Sequence, residues 1–368
     1  MTIHLVTGGT GFVGGALILE LLDRTDDPVI GLARPGGEDA HQRLIASLRH
    51  AALAYGRDPD TVPLGRVIGI PGDVTQPGCG VAVSDLRADM LWHSAASLRY
   101  EDRYAPQIRA TNVDGVANVL TLARRTGVAV INAVSTAYVA GRQEGILAEV
   151  PQQHEAAQNH YERSKIEAEA MVRAARDFAV RILRPSIVVG HSATRAATTF
   201  SGLYGFARQM LAYHGILERM QKGLARNRRM KIRAGDDAPL DLIPVDAVAA
   251  QAVHIGLKPC SEGIYHLTQT HPPTVGQAIR AVARHAGFPE PEFVDADTPL
   301  EWLDDQFDKR LEFYSGYIRT RRVFDRSRAD AALGNRLDLH RALPSVDSLL
   351  SWYMDLMQSQ RRCLPASR

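Results

Sequence analysis

Three side chains near the middle of the chain have the types and spacing to move a proton. Tyr161 and Lys165 stand four apart in Asn159-His160-Tyr161-Glu162-Arg163-Ser164-Lys165, so on a helix they share one face. A lysine ammonium close to a phenol favours the phenolate and lowers its pKa. Such a tyrosine can give and take a proton near neutral pH. Thr136 lies 25 residues before Tyr161, at the end of an apolar run in Val134-Ser135-Thr136-Ala137-Tyr138. A hydroxyl there can hydrogen-bond a substrate carbonyl beside the tyrosine. A lone Tyr-x-x-x-Lys is most often a surface helix pair, so its weight comes from the residues around it.

The second constellation is at the start of the chain. Thr7-Gly8-Gly9-Thr10-Gly11-Phe12-Val13-Gly14 follows a short apolar strand pattern and opens a helical one. Gly8, Gly11 and Gly14 have the spacing G-x-x-G-x-x-G. Glycine permits the tight turn and lets the backbone approach a pyrophosphate, and the helix N-terminus offers that anion free N–H groups. Gly8, Thr10, Gly11, Phe12, Val13 and Gly14 are therefore the candidate cradle for a dinucleotide. The end of the second strand pattern reads Gly31-Leu32-Ala33-Arg34, with no acid for a ribose 2′-hydroxyl. Arg34 can fork onto a 2′-phosphate instead, so the expected cofactor is NADP(H). Asp73 and Val74 follow the third strand pattern, and Ala95 and Ala96 the fourth. Asp73 suits an adenine amino group, and the small alanines leave room for the cofactor. His93, just before them, reads as a core histidine.

These loops need a scaffold, and the first half supplies its pattern. Short apolar runs at 3–7, 29–33, 67–70, 90–93, 128–134 and 180–183 read as strands. Helical patterns lie between them, among them 12–22 and 106–125, the latter with Val116, Val119, Leu120 and Ala123 on one face. The alternation predicts an α/β fold, a Rossmann-type doubly wound parallel sheet covered on both sides. After about residue 185 strand patterns thin out to 240–244, 263–267 and 292–294. The expected division is an NADP-binding domain at 1–185 and a smaller, mostly helical substrate-binding part at 186–368, with no Gly/Ser linker between them.

Composition narrows the function classes. The chain has 368 residues, 45% hydrophobic and 23% charged, with a net charge of +2. That balance gives no reason to expect a nucleic-acid partner. Cys79, Cys260 and Cys363 are scattered and odd in number, so neither a disulfide framework nor a metal site is expected. A reducing, cytoplasmic setting is the simplest expectation. No charged leader precedes an apolar run, and the most apolar stretch, 127–141, is too short and polar to span a bilayer. Seven basic residues crowd one segment: Arg219, Lys222, Arg226, Arg228, Arg229, Lys231 and Arg233. They read either as a docking surface for an acidic partner or as a solvated face.

Taken together these residues resemble the extended short-chain dehydrogenase/reductase superfamily over about the first 190 positions. The likeness rests on Thr7-Gly8-x-x-Gly11-Phe12-x-Gly14, Asp73, His93-x-Ala95-Ala96, Asn112-Val113-x-Gly115, Ser135-Thr136, Tyr161-x-x-Ser164-Lys165 and Arg184-Pro185-Ser186. The resemblance implies that Thr136, Tyr161 and Lys165 are the catalytic triad. It implies that Tyr161 and Lys165 also touch the cofactor, that Pro185, Ile187 and Val188 meet its nicotinamide end, and that Asn112 supports the site. Within the superfamily the chain looks most like fatty acyl-CoA reductases and carrier-protein thioester reductase domains. The similar stretches are 110–115, 134–139, 159–169 and 241–246. The implied reaction is NADPH-dependent reduction of an acyl thioester, on CoA or an acyl carrier protein, to aldehyde, with onward reduction to alcohol left open. Reductase domains of this kind often follow a carrier domain, whereas this chain starts at its cofactor loop, so the substrate is expected in trans. The competing readings are a ketone or aldehyde reductase, a nucleotide-sugar epimerase or dehydratase, and a non-catalytic NADP-binding regulator. Dehydratases of this kind carry an acidic pair after the threonine, where this chain has Ala137 and Tyr138; regulators commonly lose the tyrosine or lysine, and both are kept.

Overall fold

The computed structural model describes residues 1–82, 86–259 and 261–363; Cys260 lies outside them. The strands are β1 (His4–Thr7), β2 (Val29–Ala33), β3 (Val67–Pro71), β4 (Met90–His93), β5 (Val130–Val134), β6 (Gly145–Leu147), β7 (Ala179–Pro185), β8 (Ile187–Val189), β9 (Lys231–Arg233), β10 (Leu242–Pro244), β11 (Gly263–Leu267), β12 (Glu292–Val294) and β13 (Arg322–Phe324). The helices are α1 (Phe12–Arg24), α2 (Ala40–Ala54), α3 (Ala105–Arg109), α4 (Gly115–Thr126), α5 (His160–Ala174), α6 (Leu203–Met220), α7 (Leu224–Asn227), α8 (Val245–Leu257), α9 (Val275–Ala286), α10 (Trp302–Arg310), α11 (Glu312–Ile318), α12 (Ser327–Leu333) and α13 (Val346–Cys363). They form two compact units, one of residues 1–186, 245–268 and 324–341, the other of 187–244, 269–323 and 342 onward.

The first unit is an α/β fold built on a seven-stranded sheet in the order β11-β7-β5-β4-β1-β2-β3, every pair parallel. Its inner strands β1, β2 and β4 are buried along their whole length, as a sheet covered on both sides requires. The order of the strands reverses between β1 and β4. That switch point opens a crevice at the carboxyl ends of the strands, where the loops after β1, β2 and β4 lie. One core layer joins Leu5, Leu91, Ile131 and Ile182 of the sheet to Val116, Leu120, Ala168 and Val172 of α4 and α5. The second unit has its own core, where Phe206, Met210 and Leu217 of α6 join Ile279 and Val282 of α9, Phe307 of α10 and Leu349 of α13.

Three expectations need correction. The helix expected over 106–125 is interrupted: α3 runs into a π-helical turn at Ala110–Asp114 before α4 begins. The strand expected from 128 starts at Val130, because α4 ends on Gly127 at φ +79° and Val128 N still bonds back to Ala123 O. A single cut after residue 185 also misses that residues 245–268 and 324–341 return to the first unit. The return follows from α8, which is apolar on nearly every side (Val245, Ala247, Val248, Ala249, Ala250, Ala252, Val253 and Ile255 are all buried) and packs on α1. It delivers β11 to the edge of the sheet beside β7.

Candidate active site

The strand end after β5 and the first turn of α5 bring the three proton-carrying side chains together. Thr136 has extended backbone and caps the 3₁₀ turn Ala137–Ala140, its hydroxyl oxygen accepting from Tyr138 N at 3.2 Å. Asn159 caps α5 by accepting from Glu162 N at 2.9 Å, which sets Tyr161 in the first turn. The Tyr161 and Thr136 hydroxyls are hydrogen-bonded to each other. Lys165 follows one turn later, 5% exposed, and its Nζ donates to Val134 O at 2.8 Å.

Burial governs the charges here. It pushes the Tyr161 phenol above its ordinary range; the charge of Glu162 adds to this and the bond from Thr136 opposes it. It also pulls Lys165 down to about 8, against the charge of Glu169. The expectation that Lys165 lowers the tyrosine pKa is therefore corrected. Desolvation of the phenol prevails.

Hydrogen-bonded polar groups support this end of the sheet. Asn112 is buried in the π-helical turn, a feature frequent at functional sites. Its amide donates to Ser97 O at 3.0 Å and Ser164 Oγ at 2.9 Å, while its Oδ1 accepts from Ser97 N at 2.7 Å. Asn112 thus ties the loop after β4 to the helix that carries Tyr161 and Lys165. His93 is the expected core histidine: its Nδ1 and Thr7 Oγ1 are 2.7 Å apart, and burial, with the charge of Lys165, holds its pKa at about 3.

The glycine loop fits an anionic group. Gly8 has φ +75°, and a Cβ there would stand 2.6 Å from Ala95 N, so the loop lies directly against the loop after β4. A Cβ on Gly14 would collide with Gly8 O. Gly11 is the exposed N-cap of α1, with no side-chain cap on the helix and no acid in its first turn, which leaves amide donors for a pyrophosphate. Thr10 is exposed, and Phe12 and Val13 are half-buried beside it. Arg34 is exposed after β2, and Arg43 of α2, which sequence reasoning missed, donates to Arg34 O at 2.5 Å. Two guanidinium side chains therefore share the loop expected to meet a 2′-phosphate.

Other expected cofactor residues divide. Ala95 and Ala96 are half-buried at the carboxyl end of β4, next to Gly8. Asp73 Oδ1 accepts from Thr75 N and Oγ1 at 2.9 and 2.8 Å, closing its own turn. The Val74 side chain is in the core against Gly115. Pro185 ends β7 in the first unit, while Ile187 and Val188 lie on β8 in the second, paired with Leu242 and Ile243 of β10. In that second unit the basic run is only partly free. Arg228 pairs with Glu301 at 3.0 Å and buried Asp304 at 2.8 Å, and Arg233 with Asp308 at 3.1 Å. Arg219, Lys222, Arg226 and Arg229 are exposed. Among the described residues no cluster of His, Cys, Asp or Glu is arranged to hold a metal ion, and no helix is long and apolar enough to cross a membrane.

Comparison with known proteins agrees with the fold. A family model described as Male sterility protein, an NAD-binding family, matches residues 6–252. The chain is 26% identical over 314 residues to a linear gramicidin synthase polypeptide of Brevibacillus parabrevis, a match covering 82% of this chain and 6% of that protein. It is 28% identical over 165 residues to Fatty acyl-CoA reductase 1 of Arabidopsis thaliana, covering 40% of this chain and 33% of that one. The match thus spans a third or less of either curated relative. Among solved structures, the terminal R domain from the myxalamid PKS-NRPS biosynthetic pathway superposes with a TM-score of 0.74 at 25% identity, covering 100% of this chain and 93% of that one.

Proposed function

Because the chain belongs to the Male sterility protein family, among the NAD(P)-binding oxidoreductases of the extended short-chain dehydrogenase/reductase type, we propose that it reduces an acyl thioester to an aldehyde with NADPH. The thioester is carried on CoA or on a carrier protein. The observation that carries this reading is the Thr136–Tyr161 hydroxyl pair beside buried Lys165 at the end of β5. A bound reduced nicotinamide supplies the hydride to the thioester carbonyl carbon. Thr136 and Tyr161 donate to the carbonyl oxygen as negative charge develops on it, and Tyr161 transfers its proton there. The hemithioacetal so formed on the substrate then releases its thiol and leaves the aldehyde. The free amides of the first turn of α1 hold the pyrophosphate, and Arg34, with Arg43 beside it, selects the 2′-phosphate of NADPH.

The test is an NADPH oxidation assay against acyl-CoAs, carrier-bound acyl groups and free carbonyl compounds, with thiol release read in parallel. Thiol should appear in step with NADPH consumption. Consumption with ketones or aldehydes, but no thiol from any thioester, would reduce the proposal to a carbonyl reductase on the same scaffold.

A further inference from the structure

Lys165 is a buried cation hydrogen-bonded to a neutral carbonyl, and it needs a compensating charge. One turn further along α5 stands Glu169, 6% exposed. Its carboxylate is gripped by Arg184 of β7, which is fully buried: Nε donates to Oε1 at 2.9 Å and Nη2 to Oε2 at 2.6 Å. Arg184 is held in turn. Its Nη1 is 3.5 Å from His266 Nε2 on β11, and His266 Nδ1 is 2.7 Å from Asp325 O. A carbonyl only accepts, so Nδ1 carries the proton and Nε2 is free to accept from the guanidinium. Burial holds that histidine at about 4, hence neutral. All these groups lie in the first unit.

A buried pair of this kind is weak evidence for a stabilising role. Taking both ions out of water offsets most of their attraction, and apolar residues of similar size commonly serve as well. We propose that the Glu169–Arg184 pair is a positioning device for Lys165: Glu169 stands one turn beyond Lys165 on the same face of α5 and holds the ammonium on Val134 O, while Arg184, steadied by His266, fixes the carboxylate. The other groups facing Lys165 do not supply that charge. On its own helix Tyr161 is a neutral phenol; from β4, His93 is neutral, and the ammonium itself helps to keep it so; from the end of β5 come the Val134 carbonyl and the Thr136 hydroxyl. The guanidinium of Arg184 is itself a cation bonded to that carboxylate and supplies no negative charge. Burial alone drags the lysine down, and Glu169 is what opposes it.

The consequence for turnover rests on the proposed role of Lys165; the consequence for the lysine itself does not. Lys165 is one of five lysines in the chain, so side-chain Cε and Nζ resonances of isotopically labelled lysine can be followed through a pH titration. Lys165→Arg assigns the signal. In the wild type the midpoint should fall near 8. Glu169→Gln leaves Arg184 as an unpaired cation nearby and should lower that midpoint by more than one pH unit. The limb of the kcat/KM profile that reports Lys165 should move with it. The double variant Glu169→Gln/Arg184→Met is neutral, so it avoids a stranded charge if the single variant folds poorly. Its midpoint should lie between those of wild type and Glu169→Gln. A Lys165 midpoint unmoved in a folded Glu169→Gln or double variant overturns the proposal. If the midpoint moves while Lys165→Ala retains full turnover, the positioning stands and the catalytic reading of Lys165 falls.

Discussion

Tyr161 meets its substrate as a neutral phenol, because burial holds it above its ordinary range and its hydroxyl is bonded to Thr136. That is the state a general acid requires. Tyr161→Phe should therefore bind NADPH as the wild type does and lose about 10²–10⁴-fold in turnover, the usual effect of removing a positioned acid. Binding by fluorescence together with steady-state rates checks both halves; a variant that keeps most of its activity on the true substrate removes Tyr161 from the mechanism. Cofactor choice is a second question at this scale. Arg34→Ala should weaken NADPH binding and leave NADH nearly unaffected, and equal wild-type affinities for the two would contradict the reading of that loop. The residue types were legible because their spacing carries the signal: four residues place Tyr161 and Lys165 on one helical face, and the glycine triplet follows a strand directly. The direction of the lysine was not legible. Its acceptor is the Val134 carbonyl, and a backbone acceptor leaves no trace in residue identity. Glu169 did leave one, as an acid one turn beyond Lys165.

At the scale of elements, the turn Ala110–Asp114 shows where periodicity stops being informative. One apolar face runs through α3, the turn and α4, so the pattern reads as a single helix. The π-helical widening is recorded only in what Asn112 bonds: Ser97 of one loop and Ser164 of another helix. Asn112→Ala should leave the Ser97 amide and the Ser164 hydroxyl short of a partner, at a cost of about 1–3 kcal/mol. Denaturant unfolding measures that loss, and a variant as stable as the wild type would mean the bridge is dispensable. The basic run illustrates the converse. Its seven charges look alike in sequence, yet Arg228 is bound to buried Asp304 and Arg233 to Asp308, so neutralising them tests stability rather than docking. Replacing exposed Arg219, Lys222, Arg226 and Arg229 with Gln is the cleaner experiment. It should raise KM for an acidic carrier-bound substrate more than for a small aldehyde, and the difference should shrink with added salt. An equal effect on both substrates at every salt concentration would assign the run to a solvated face.

For the whole molecule, the parallel sheet was legible because each of its first strands is a continuous apolar run between helical patterns, while the return of the chain to that unit was not. Strands of three residues, such as β6, β8 and β9, are too short for periodicity to register, and α8 is apolar on nearly every side, which shows that it is buried but not in which unit. What the completed unit encloses has a consequence for its stability. His93 and His266 sit on β4 and β11, only 4% and 1% exposed, with folded pKa values of about 3 and about 4 against an ordinary 6.5. Their folded values are depressed, so below about pH 6.5 the unfolded chain takes up protons that the folded chain refuses. The stabilisation is complete above that pH and is lost as pH falls toward the folded values. Each histidine then contributes a slope of up to about 1.4 kcal/mol per pH unit. Buried Glu149 works in the opposite sense: its carboxylate, which accepts from His266 N, Arg328 N and Ala329 N, has a raised pKa and so resists acid unfolding in the range near its own titration. Between about pH 6.5 and 5 the histidines should dominate, because ordinary carboxylates stay ionised there in both states. Denaturant unfolding at half-unit pH steps should show stability falling across that window, and His93→Gln, which keeps a polar partner for Thr7, should flatten the fall. A wild-type curve already level across the same window would mean that water reaches these rings in the native state.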